Sequence, residues 1–193
     1  MCPLPYGRAS VQSFPLIVHC MDAGPAGYFI TFCTYGSRLH GDERGSVDRR
    51  NNGWDTETLT PNQMREAFEK SEMDGSGRLL KGPQRVLVAD TLLEVCQHKS
   101  WPLFAVNVRT NHVHVVVNSS GPELTMNAFK AWSTRRLREA GLLESRERLW
   151  SRHGSTPYLW FDRDVSSASL YALEGQGEDL GGTRAGSAWD EIQ

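Results

Sequence analysis

No cysteine in this chain has a partner two or three residues away. Cys2, Cys20, Cys33 and Cys96 stand far apart, which argues against a zinc ribbon or a dense disulfide scaffold and fits a reducing cytoplasm. No apolar run nears the roughly 20 residues of a membrane-crossing helix. The short apolar patch at 14–20 lacks the flanking pattern of a secretory leader. Internal repeats are missing too. So is an excess of positive charge: 21 Lys and Arg face 23 Asp and Glu, a net −2, so the chain as a whole is not built as a polyanion binder. What remains is a 193-residue chain, 39% hydrophobic and 23% charged, suited to one globular domain with decorations.

The charge is unevenly spread. Residues 130–152 hold seven basic side chains (Lys130, Arg135, Arg136, Arg138, Arg146, Arg148, Arg152) against three acidic ones. From Glu174 onward five acidic residues face one basic, so an acidic tail masks a basic stripe in the total. The plain reading of that stripe is a solvated helix face; the functional one is a surface for backbone phosphates.

Residues 28–35 (YFITFCTY) are β-branched and aromatic and predict a strand. Helical spacing of apolar residues predicts helices over 61–73, 83–99 and 122–140, and a further one over 164–174 ended near Gly175. Residues 103–108 and 113–118 predict two strands joined as a hairpin, and 150–161 reads as an irregular aromatic stretch holding one more strand. The segment 36–82 is Gly-rich and polar apart from its helix, and reads as an excursion. Strands mixed with helices and an antiparallel hairpin indicate an α+β sandwich with an antiparallel sheet and helices on one face.

Within the hairpin stands His112-Val113-His114. Residues two apart on a strand share a face, so two imidazoles lie side by side while Val113, Val115 and Val117 point the other way to pack. With Thr110 and Asn111 as the turn, Arg109 pairs with His112 and Asn107 with His114, and paired residues share a face. Asn107, Arg109, His112 and His114 then form one polar cluster opposite an apolar face of Phe104, Val106, Val108 and the three valines. A pair of strand histidines is often decoration. Here it also presents two metal ligands with positions left open, the pattern of a catalytic rather than a structural site.

The motif, its strand context, the helix bearing Lys130 and Arg135-Arg136-Leu137, and the late helical Tyr171 resemble the His-hydrophobic-His endonuclease (HUH) superfamily. More narrowly, residues 28–176 are similar to the single-tyrosine transposases of bacterial insertion sequences and their REP-associated relatives. The resemblance implies a ferredoxin-like fold for a domain over 28–176, with residues 1–27 as an N-terminal extension; residues 177–193, Gly-rich and acidic, read from their composition as a disordered tail. It implies cleavage and rejoining of single-stranded, hairpin-forming DNA through a 5′-phosphotyrosine formed by Tyr171. It also implies a divalent metal, Mg²⁺ or Mn²⁺, on His112 and His114. Family members include dimers with composite sites as well as monomers, so a homodimer is open.

Tyr171 is preferred over Tyr28 and Tyr35 in a strand, Tyr6 in an unstructured start and Tyr158 in an aromatic cluster; the competing reading is a packed helix tyrosine. In the family an amide side chain four residues beyond the tyrosine often completes the metal site. Here that position is Gly175, which leaves Gln176, ranked above Glu174, if the helix unwinds. Lys130, Arg135, Arg136 and Arg109 are the expected DNA-backbone contacts. Two other functions stay open: a non-cleaving DNA-binding regulator on the same fold, and a metal-dependent phosphodiesterase with water as nucleophile.

Overall fold

The computed structural model describes residues 24–37, 62–71, 73 and 77–189. The expected extension, save residues 24–27, and much of the 36–82 excursion lie outside the described residues. In chain order the elements are β1 (Gly27–Thr34), α1 (Gln63–Ser71), α2 (Gly82–Lys99), β2 (Leu103–Val108), β3 (His112–Val117), α3 (Pro122–Glu139), β4 (Trp150–Ser155), β5 (Tyr158–Leu159), α4 (Asp162–Leu173) and β6 (Thr183–Ala185).

One antiparallel sheet runs β4-β1-β3-β2-β6, with β5 also pairing β1. The helix α2 links β1 to β2 across β3, and α3 links β3 to β4 across β1. These two split crossovers are the β-α-β-β-α-β ferredoxin-like arrangement, so the expected α+β class holds. Local signals start the helices: Pro83 and Pro122 sit in first turns. At α2 the Gln84 side chain accepts from the Lys81 N–H (2.8 Å), and at α4 the Asp164 carboxylate accepts from the Phe161 N–H (3.2 Å).

The alternation of β1, β2 and β3 divides the core. Ile30, Phe32, Val106, Val108, Val113, Val115 and Val117 face α2 and α3. Phe29, Phe104, Ala105 and Val116 face Val165, Ala168 and Ala172 of α4. Each valine, isoleucine or phenylalanine among them contributes about 1.5–3 kcal/mol on burial. Helices on one face thus describes α2 and α3 alone; α4 covers the other face, because its own apolar stripe needs the second set of strand side chains. Phe104 also departs from expectation. A register shift between Leu103 and Ala105 turns Phe104 and Ala105 together toward α4, as a bulge does.

The tail differs most from its sequence reading. Residues 177–189 are ordered, β6 pairs with β2, and Ala188 and Trp189 are buried. The glycines that suggested disorder permit the docking. A Cβ at Gly182 or Gly186 would overlap the carbonyl of Val108 or Leu103, so only glycine lets this backbone press so closely on the sheet.

Lys130 is also reassigned. It is buried in α3, and its ammonium donates to the carbonyls of Ser151 (3.1 Å), Arg152 (3.4 Å) and His153 (3.1 Å) on β4. Such a side chain ties α3 to the edge strand and argues against the expected contact with DNA. Burial pushes the ammonium down from 10.5 to about 8, with Arg148 adding to the effect. The folded value lies below the unfolded one, so between these values the unfolded chain binds more protons and stability rises with pH. Lys130→Met is expected to be about 2 kcal/mol less stable at pH 7, from carbonyls left without a donor. The gap should widen from pH 8 to 10.5, because only the wild type gains there. Urea denaturation of both proteins across that range checks the sign; a constant gap contradicts it.

Candidate active site

The hairpin forms in the register read from the sequence. Asn107 pairs with His114 and Val108 with Val113, and the Arg109 N–H donates to the His112 carbonyl (2.8 Å). Thr34, fully buried at the end of β1, locks the turn from outside: its N–H and hydroxyl both donate to the Asn111 carbonyl (2.9 and 3.2 Å). Because Val113, Val115 and Val117 enter the core with α2 and α3, His112 and His114 must point to the face of α4.

On that face the side chains converge. The two imidazole centroids lie 4.7 Å apart. The Tyr171 ring of α4 stands 5.7 Å from His114, edge-on, within the same chain, and is half exposed. Phe29 stacks on His114 (5.2 Å, 15°) and meets Tyr171 edge-on (6.0 Å), so one β1 side chain braces both. Asn107, buried, donates from Nδ2 to the Ala172 carbonyl (2.7 Å). That bond pins the last turn of α4, and Tyr171 with it, to the sheet.

Each histidine is oriented by a neighbour. His112 Nδ1 lies 2.7 Å from the Asn111 side-chain oxygen. That oxygen only accepts, so Nδ1 donates to it. His114 Nδ1 lies 2.8 Å from the Thr31 hydroxyl, which can fill either role. Thr31 is the pairing partner of His114 across β1 and β3.

Beyond α4 the chain makes an unexpected step. The Gly175 N–H still donates to the Tyr171 carbonyl (3.0 Å), but a Cβ at 175 would stand 2.8 Å from that oxygen and 2.9 Å from Cδ2 of the tyrosine ring. A side chain four residues past Tyr171 is therefore sterically closed. Gln176 takes its place: its Oε1 lies 3.4 Å from His112 Nε2, while its Nε2 donates to the Tyr171 carbonyl (3.4 Å). The His112 Nε2 and the amide oxygen of Gln176 thus face one another. Two imidazole nitrogens and an amide oxygen are a donor set that fits a divalent cation. Glu174 is exposed and does not share this contact.

The basic residues divide. Arg109 borders the site, donating to the Glu178 carbonyl (2.6 Å). Arg135 and Arg136 lie on α3, across the sheet from the histidines, paired with Glu139 and Glu94 (both 2.8 Å). An open concavity of about 590 Å³, lined in part by Arg135, Arg138 and Trp150, is on that same far side. That face is separated from Tyr171 by the sheet, so neither arginine lies beside the histidines. Sequence reasoning missed Thr31 and Phe29. Strand alternation puts both on one face of β1, but nothing in one sequence says that β1 lies beside β3.

Residues 77–160 match the model of the family described as "Transposase IS200 like". No curated protein matches the chain. Among solved structures, the "Structure of the REP associates tyrosine transposase bound to a REP hairpin" is similar at 9% identity and a TM-score of 0.41, over 90% of this chain and 72% of that one. The matched segment spans α2, the hairpin, α3 and β4, and stops before α4 and Tyr171. The likeness to the IS200-like transposase model is confined to residues 77–160, with both histidines inside them.

Proposed function

We propose that this protein is a single-stranded DNA endonuclease and strand transferase in which Tyr171 is the nucleophile and His112, His114 and Gln176 hold a divalent cation, Mg²⁺ or Mn²⁺. The observation that carries the reading is the convergence of Tyr171, both imidazoles and the Gln176 amide on one face of the sheet, beside a family match that contains the histidines. A divalent cation bound there polarises the scissile phosphate and offsets the charge of its transition state.

The remaining chemistry belongs to the chain. The Tyr171 oxygen attacks phosphorus; the Oη–P bond forms as the P–O3′ bond breaks. The phenol gives up its proton and the departing 3′ oxygen takes one up, so the products are a 5′-phosphotyrosine and a free 3′-OH. Attack by another 3′-OH reverses the sequence and joins strands without external energy. Phe29 and the Asn107–Ala172 bond keep the tyrosine beside the imidazoles, while Thr31 and Asn111 set the imidazole orientations. Arg109 is the one predicted backbone contact that borders this face.

The test is to incubate hairpin-forming single-stranded oligonucleotides with the protein and Mg²⁺ or Mn²⁺, and to run a denaturing gel. A protein–DNA adduct that is lost on chelation supports the reading. Binding without adduct points to a regulator, and cleavage without adduct to a hydrolase using water. A milder prediction follows for Thr31→Val, which removes only the hydroxyl at His114. Groups that orient metal-binding histidines are worth about 10–100-fold in metal affinity. Mn²⁺ titration should show a loss of that size, with a melting temperature lowered by no more than one lost hydrogen bond accounts for; unaltered affinity argues against the orienting role.

A further inference from the structure

A strip of large aromatic side chains outside the site is turned to solvent. Tyr158, Trp160 and Phe161 are 46%, 58% and 56% exposed, while Leu159 between them is fully buried. The alternation is that of a strand edge whose inward residue holds the chain and whose outward residues have no core to enter. Contiguous apolar surface of this kind marks a binding site more often than chance.

The strip is organised. Tyr158 and Trp160 stack on each other (5.8 Å, 22°), and buried Tyr28 meets Tyr158 edge-on (5.1 Å). Arg163 lies over the Phe161 ring (4.7 Å), its side chain 80% exposed and only loosely paired with Asp164 (3.7 Å). Tyr158 shares the α3 side of the sheet with its pairing partner Tyr28, and the strip turns around the β5 edge through Phe161 onto α4, which leads toward Tyr171. Arg163, Ser167, Leu170 and Tyr171 are exposed on α4 at i, i+4, i+7 and i+8, one stripe of a helix. At 1.5 Å per residue the stripe from Arg163 to Tyr171 is about 12 Å long.

We propose that Tyr158, Trp160 and Phe161, with Arg163, form a stacking platform for unpaired bases of the strand whose phosphate is presented to Tyr171. The inference rests on the proposed single-strand chemistry. Aromatic faces take any base, and a guanidinium beside them meets the backbone; together they are how single-stranded nucleic acid is held without sequence readout. The helix stripe supplies the continuity with the reacting end that a protein-docking patch would not need. Asp162 and Asp164, which flank Arg163, restrict the phosphate contact to that single guanidinium.

The test uses the full chain and a fluorescent oligothymidylate, with binding followed by anisotropy in the absence of metal and adduct formation by gel in its presence. Trp160→Ala is expected to weaken binding about tenfold, the scale of one stacked base, and Trp160→Phe to restore most of it. Arg163→Gln should weaken binding less and flatten its salt dependence. If wild type forms adduct and Trp160→Ala leaves both readouts unchanged, the platform is overturned and the chemistry stands. If wild type forms no adduct but its binding still falls in Trp160→Ala, the platform stands and the chemistry fails. If Trp160→Ala instead turns a dimer into a monomer in sedimentation with no change in DNA binding, the strip is a contact between copies of this chain and the proposal is overturned.

Discussion

Tyr171→Phe protein is expected to bind single-stranded DNA as the wild type does and to form no covalent adduct with it. The substitution removes one oxygen from a half-exposed ring and leaves its edge-on packing with Phe29 and His114 in place. The fold should therefore be unaffected, and a thermal melt should overlay that of the wild type. Strand cleavage should fall by at least about a thousandfold, because the nucleophile itself is absent. Denaturing gels with Mn²⁺ give the answer directly. Cleavage that persists without adduct would mean that water attacks and that Tyr171 only packs.

The second large effect belongs to the histidines, and it should split in two. His112→Ala and His114→Ala are each expected to cost more than about a hundredfold in adduct yield, since loss of even an outer partner of a metal ligand costs about 10–100-fold. Their effects on the fold should differ. His114 is buried, stacked on Phe29 and bonded to Thr31. Its removal leaves a gap and an orphaned hydroxyl, worth about 2 kcal/mol. His112 stands at the rim beside the turn, and its truncation should leave the melting temperature within about a degree or two. Calorimetric titration with Mn²⁺ and a melt on the same samples separate the two. Full adduct yield in either variant would remove the metal platform from the proposed function.

The part of the site that was legible in the sequence is the part ruled by a short period. Asn107, Arg109, His112 and His114 share a face because strand alternation and a two-residue turn leave little freedom, and the structure has that register. Phe104 broke the same rule because a bulge inserts a residue without leaving a mark in composition. The side of the sheet on which the basic helix lies was not legible, for another reason. A helix period says which residues turn inward, but not on which face of the sheet the helix lies; α3 lies on the far one. Lys130 was misread since its long side chain is as apt to cap strand carbonyls as to meet phosphate. The tail was misread because glycine signals both freedom and close approach, and here the backbone contact with β2 decides for approach. Gln176 was legible only as an exception. A Cβ at Gly175 would press on the tyrosine it follows, and the amide that faces His112 is that of Gln176.

The 5.7 Å between the rings of Tyr171 and His114 is spanned inside one polypeptide, and this bears on how the reaction should scale. Under the proposed chemistry, nucleophile and phosphate-binding groups are never diluted with respect to each other, so the specific rate of the first strand cut should be independent of protein concentration. Mixing a Tyr171→Phe chain with a His114→Ala chain should restore nothing, since neither can lend its missing group to the other without leaving its own sheet.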